Sequence, residues 1–342
     1  TNGNDSGGTM QIGIPSYDYD SNNNTVENCY FEAGSHHHIE VYTENNVIRN
    51  NVFTNDGYFE NTGTAAPQVG TVDADGLYGN RSVAFAISDS AEKRNLMEGN
   101  RLGWSGPPPD DNGANALVFS NQYNIGRYNY LFMADGNGIY MKDGASSSNN
   151  FIYNNTVYAN GDQTDGRRTD IRTYGIAITD NSDDNFFINN LTYDNAGGAF
   201  QLLGSGSAWA TNNFDSNWTE DIGSRATYTW GENASDPLFN DVTVSDPTSL
   251  TQPELQLSSG SPAIDAGASL TLANGSGSSS TSLVVDESSF FQDGTAGASI
   301  ATLNADWIAI GSVSNIVEIS SINYSTDTIT LASAMTWSDN DE

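Results

Sequence analysis

The chain has 342 residues, 37% of them hydrophobic and 11% aromatic, enough to bury a core and unlike a disordered chain. Asp and Glu outnumber Lys and Arg by 43 to 11, giving a net charge of −32. Such a surface repels nucleic acid and anionic membranes and suits a salty or calcium-rich medium, where cations screen the self-repulsion. No run reaches the ~18 apolar residues of a membrane span, and the single cysteine, Cys29, cannot form an internal disulfide.

The predicted elements begin with a strand at "MQIGIP" from Met10. An eight-residue motif follows, "NTVENCYF" from Asn24, then a second strand, "HIEVYT" from His38. The motif returns as "NVIRNNVF" from Asn46, and the next strand, "VAFAIS" from Val83, comes only after an insertion at 54–80. "NLMEGNRL" from Asn95 is separated from "ALVFSN" at Ala116 by a second insertion, 103–115. "NIGRYNYL" from Asn124 leads to "GIYMKD" at Gly138. "NFIYNNTV" from Asn150 is followed by a third insertion, 159–174, and by "GIAITD" at Gly175. "NFFINNLT" from Asn185, "AFQLLG" at Ala199 and a weaker seventh copy, "AWATNNFD" from Ala208, complete the series.

The second strands alternate with period two, the pattern of one buried face. The closest repeats lie 22 to 26 residues apart, too short for strand–helix–strand crossovers with their loops. One coil of a solenoid fits that length, each strand pairing in parallel with its equivalent one coil away. Counting the first residue as zero, position five reads Cys29, Asn51, Asn100, Asn129, Asn155, Asn190 and Asn213. An asparagine at a bend tolerates left-handed backbone angles, and stacked amides satisfy each other coil to coil. Position five is therefore expected to form a buried ladder, with Cys29 ending it as a small buried residue.

This pattern resembles the parallel β-helix repeat of secreted polysaccharide lyases, glycoside hydrolases, phage tailspikes and bacterial surface proteins. It extends from about Gly8 to Ala268 and includes "SPAIDAG" at 261–267, similar to the segment that closes such helices. The resemblance implies an all-β, right-handed parallel β-helix over 1–272. A Gly/Ser linker is expected at 273–282, then a small antiparallel β module at 283–342 whose hairpin turn falls at 325–327. The chain enters in mid-coil and stops on a turn, so the natural protein is expected to extend beyond at least one end.

The three insertions follow position seven of their repeats, so they should leave the helix at one corner. They carry Asp73 and Asp75 in "DADG", Asp110 and Asp111 in "PPPDDNG", and Trp104, a candidate sugar-stacking ring or loop anchor. These aspartates read in three ways: turn residues beside glycine, calcium ligands, or a glycosidase carboxylate pair. The resembling lyases use an Arg or Lys base with calcium. On this chain that points to Asp73, Asp75, Arg81 and Lys142, with Arg167, Arg168 and Arg172 nearby. Of these basic residues only Lys142 stands on the outward strand row, which is mostly small and uncharged. At most two of His36, His37 and His38 can share an ion, because neighbouring strand residues face opposite ways. Nine Asn-x-Ser/Thr sequons are present, most of them expected by chance in so Asn-rich a chain.

The leading expectation is a non-catalytic extracellular or cell-surface structural protein, a subunit of a surface layer, sheath or filament that self-assembles through its β edges. The rival readings are an extracellular polysaccharide lyase or glycoside hydrolase, and a glycan-binding adhesin, both using the loop corner.

Overall fold

The computed structural model describes residues 10–13, 21–32, 37–54, 81–85, 94–103, 115–134, 136–142, 147–161, 174–179, 182–202, 213–215, 217–219, 235–242, 254–295 and 303–342. They form two compact units, one of residues 1–22 and 26–267, the other of 23–25 and 268–342.

The first unit is a parallel β-helix. Sheet A comprises β1 (Met10–Ile12), β4 (His37–Val41), β7 (Arg81–Phe85), β10 (Asn115–Phe119), β13 (Ile139–Met141), β16 (Ile176–Ile178) and β19 (Phe200–Leu202). Sheet B comprises β2 (Thr25–Glu27), β5 (Val47–Arg49), β8 (Leu96–Glu98), β11 (Ile125–Arg127), β14 (Phe151–Tyr153), β17 (Phe186–Ile188) and β20 (Asn213–Asp215). Sheet C comprises β3 (Tyr30–Glu32), β6 (Val52–Thr54), β9 (Arg101–Gly103), β12 (Tyr130–Phe132), β15 (Thr156–Tyr158), β18 (Leu191–Tyr193) and β21 (Trp218–Thr219). Each coil runs A, B, C, and each strand pairs in parallel with the next coil, as in Ile48↔Met97 and Phe53↔Leu102.

The Asn pairs of the sequence divide their labour at the bends. Between sheets B and C the first bend residue is left-handed: Asn28, Asn50, Gly99, Tyr128, Asn154 and Asn189 have φ of 54–63°. The second, position five, points inward. The left-handed residue is thus the neighbour of the ladder asparagine, not the ladder asparagine itself. An L-residue at positive φ is strained, and Asn and Gly bear that strain most easily.

Position-five amides form a continuous ladder. Asn100 donates its N–H and Nδ2 to Asn129 Oδ1 at 3.0 and 3.1 Å, and Asn129 does the same to Asn155 at 3.0 Å each. Each Nδ2 also reaches back to a carbonyl one coil earlier, Ile48 O from Asn100 and Met97 O from Asn129. The ladder closes at Asn217, which accepts both donors of Asn190 at 2.9 Å. The expected seventh copy was therefore four residues out of register. Asn213 pairs with Phe186 as a strand residue, and Phe214, Asn217 and Thr219 take positions two, five and seven. "NNFDSNWT" matches "NFFINNLT" better than "AWATNNFD" does, because the inward Phe must follow Phe187.

The other end also departs from expectation. Cys29 donates its N–H to Asn51 Oδ1 at 2.9 Å, but its thiol is exposed rather than buried. A second ladder joins position-zero asparagines Asn46, Asn95, Asn124, Asn150 and Asn185 at the corner between sheets A and B. Inside these polar columns the core is apolar, with Ile39, Ile48, Phe53, Leu117, Ile139, Ile152 and Phe187 all fully buried.

Strands β22 (Phe239–Asp241) and β23 (Glu254–Leu257) pair antiparallel. Leu255 and Phe239 pack with Phe132 and Tyr158 from the outer face of sheet C. Gly267 lies against Asn189; a Cβ there would come within 3.1 Å of its amide.

The second unit is a four-stranded antiparallel sheet ordered β24 (Gly277–Val284), β27 (Thr328–Trp337), β26 (Ile316–Asn323), β25 (Trp307–Ala309). The expected linker at 273–282 is mostly strand β24. A Cβ at Gly277 would sit 2.3 Å from the Trp337 ring, so this glycine serves close packing rather than flexibility. Ser and Thr sit comfortably on the solvent face of a strand whose partner is fixed, which is why composition misled. The expected hairpin turn is present, Asp327 having φ 46° between β26 and β27.

Candidate functional site at the loop-bearing corner

Strand order gives the three insertions the same kind of attachment point. Each joins a sheet C strand to the next sheet A strand: β6 to β7, β9 to β10, β15 to β16. They therefore leave from one corner, the first two from adjacent coils.

Asparagine columns brace that corner. Asn137 donates its N–H and Nδ2 to Asn115 Oδ1 at 3.0 and 2.9 Å, and Tyr174 N–H, where the third insertion ends, donates to Asn137 Oδ1 at 2.9 Å. Asn160 makes the equivalent pair of bonds to Asn195 Oδ1 at 3.0 and 2.9 Å. Small residues line the turn into sheet A. A Cβ at Gly138 would meet Val157 Cγ1 at 2.4 Å and the Gly175 carbonyl at 2.8 Å.

The sequence-predicted site residues divide sharply. Asp73, Asp75, Trp104, Asp110, Asp111, Arg167, Arg168 and Arg172 lie outside the described residues. Arg81 opens β7, in register with His37 and Asn115, while Lys142 follows β13 and donates its N–H to Phe119 O. They stand at opposite ends of the sheet A strands and two coils apart, roughly 19 Å between Cα atoms from ordinary strand rise and spacing. The structure does not bring Arg81 and Lys142 together.

His38 is fully buried, its ring centroid 6.4 Å from Phe31 and 5.9 Å from Phe53. It is packed into the core, in the turn column occupied elsewhere by Ala116 and Gly138. His36 lies outside the described residues. Among the described residues no group of three His, Cys, Asp or Glu side chains gathers as a metal site.

The outer row of sheet A reads Gln11, Glu40, Ala84, Val118, Tyr140, Ala177 and Gln201 in register. Gln11 Nε2 reaches Glu40 at 3.4 Å.

Sequence reasoning missed a row of charges on the outer face of sheet B. Position three alternates in sign along the first four coils: Glu27, Arg49, Glu98, Arg127. Arg49 Nε donates to Glu27 at 2.7 Å, and Arg127 Nε donates to Glu98 at 2.6 Å, with its Nη1 on the Tyr153 hydroxyl at 2.9 Å. Parallel in-register pairing makes every column a stack of equivalents, so the alternation was legible once position three was aligned.

Two further groups are perturbed on sheet C. Tyr158 is pushed up to about 12, first by burial and then by Asp194, which accepts a hydrogen bond from its hydroxyl. Arg101 is held below its ordinary value by burial, its guanidinium lying 5.3 Å from the Tyr130 ring and 5.9 Å from that of Phe132.

Residues 68–215 match the family model described as a right handed beta helix region. No curated protein and no solved structure matches the chain.

Proposed function

The repeat region of this chain is a right-handed β-helix, and from that premise we propose that the protein is a non-catalytic extracellular structural protein. It serves as a subunit of a surface layer, sheath or filament in which solenoids meet at their edge coils. One observation carries this reading: among the described residues seven coils share a single register through three parallel sheets and internal amide columns, with β1, β2 and β3 the first strands of their sheets. A rod of this kind resists axial slip, and edge backbone groups recruit a strand from a neighbour. At a net charge of −32, copies repel until cations screen them. Calcium suits that role, with Asp73, Asp75, Asp110 and Asp111 as hard-oxygen ligands.

Electron microscopy and sedimentation of the full chain, with calcium and with chelator, test the proposal. Filaments or oligomers in calcium that shrink on chelation are expected. A monodisperse monomer at high concentration in calcium ends it. The loop-bearing corner favours a second reading, a polysaccharide lyase, glycoside hydrolase or adhesin. Release of glycan fragments that D75N abolishes would replace the structural role.

A further inference from the structure

The outer face of the C-terminal sheet is not accounted for by any solenoid role. On β25 and β26, Trp307 stands opposite Glu318 and Ala309 opposite Ile316. Trp307 is 64% exposed and Ile316 53%, while Ile308, Val317 and Ile319 on the other face fill the core. Diagonal neighbours in a sheet lie within reach of an indole ring. Trp307 and Ile316 therefore flank the small Ala309 as a shallow apolar dish. Exposed Ser320 and Thr330 lie beyond Glu318, where the pairing of β26 with β27 shifts register between Ile319 and Ser321.

Charge narrows the occupant. Residues 268–342 hold nine Asp or Glu and no Lys, Arg or His. An anionic polymer or nucleic acid finds no counter-charge here. A second copy laid face to face would set Glu318 against Glu318. A basic partner would meet a single carboxylate on this face, Glu318; Asp293, Asp306, Asp327, Asp339 and Asp341 accept backbone N–H groups of their own unit. The face itself offers an aromatic plane, one carboxylate acceptor and two hydroxyls. That set fits a flat ring with an apolar C–H face and hydroxyls at its rim.

We propose that the Trp307 face of the C-terminal sheet binds a neutral polysaccharide, the indole stacking on a sugar ring while Glu318 accepts a hydroxyl. The proposal does not rest on the assembly reading. A monomer that binds glycan sinks the one and leaves the other.

The test is affinity electrophoresis of the full chain in native gels cast with galactomannan, with mixed-linkage β-glucan or with alginate. Retardation is expected in at least one neutral gel and not in alginate. Trp307→Ala should weaken it about tenfold and Trp307→Phe should keep part of it. Both variants should melt as the wild type does, because the ring is exposed. No retardation in either neutral gel, equal retardation of Trp307→Ala, or equal retardation in alginate overturns the proposal.

Discussion

Replacing Asn129 by Leu isolates what the internal ladder contributes. Asn129 Oδ1 accepts the N–H and Nδ2 of Asn100 at 3.0 and 3.1 Å, and its own Nδ2 donates to Asn155 Oδ1 and Met97 O at 3.0 Å each. Leucine removes all four bonds. Some partners keep alternatives: Asn100 Nδ2 retains the carbonyls of Ile48 and Glu98, and Asn155 Oδ1 retains the backbone N–H of residue 129. One group is stranded in a buried site, the Asn100 N–H, because the Met97 carbonyl stays in the parallel ladder between β8 and β11. The loss is about 1–3 kcal/mol. The control is Asn50→Gly, at an exposed left-handed position with φ 54°. It should stay within about 0.5 kcal/mol, because it removes no buried partner and glycine accepts that backbone. Urea unfolding measures both, with the slope checked for constancy. Hydrogen exchange should show the loss of protection centred on the Asn100, Asn129 and Asn155 bends, since coils couple to their nearest neighbours. A loss below about 1 kcal/mol, or one matched by Asn50→Gly, would refute the reasoning.

Two further outcomes follow from the geometry. Gly138→Ala should destabilise by about 1–3 kcal/mol, because one of the atoms its Cβ would meet is the Gly175 carbonyl at 2.8 Å, and backbone yields little; an unchanged urea midpoint would contradict the close packing of that turn. Tyr158, pushed up to about 12, favours its neutral form in the folded chain, so its contribution is full below pH 10 and is lost as pH rises towards 12. Over that window the wild type should lose stability more steeply than Tyr158→Phe; equal slopes would show that Tyr158 is not held neutral by its surroundings.

The parallel β-helix was legible in the sequence because a solenoid repeats its environment. "NNVIRNNVF" contains both ladder residues, Asn46 and Asn51, both left-handed neighbours, Asn45 and Asn50, and the inward Ile48 and Phe53. Local bend chemistry and inward periodicity suffice to identify that unit, and six of the seven copies follow its register. The corner carrying the insertions was also readable, since its position depends only on where they interrupt the coil. Tertiary structure decided what depends on contacts distant in sequence. Asn217 displaced Asn213 because the last coil must align with Phe187 and Asn190. "GSSSTS" from Gly277 became part of strand β24 because the Trp337 ring, sixty residues away, lies across Gly277. His38 entered the core between Phe31 and Phe53, where a run of three histidines suggests a surface metal site. Arg81, which opens β7, and Lys142, just past the end of β13, were kept apart by strand length and coil spacing, distances that no local pattern records.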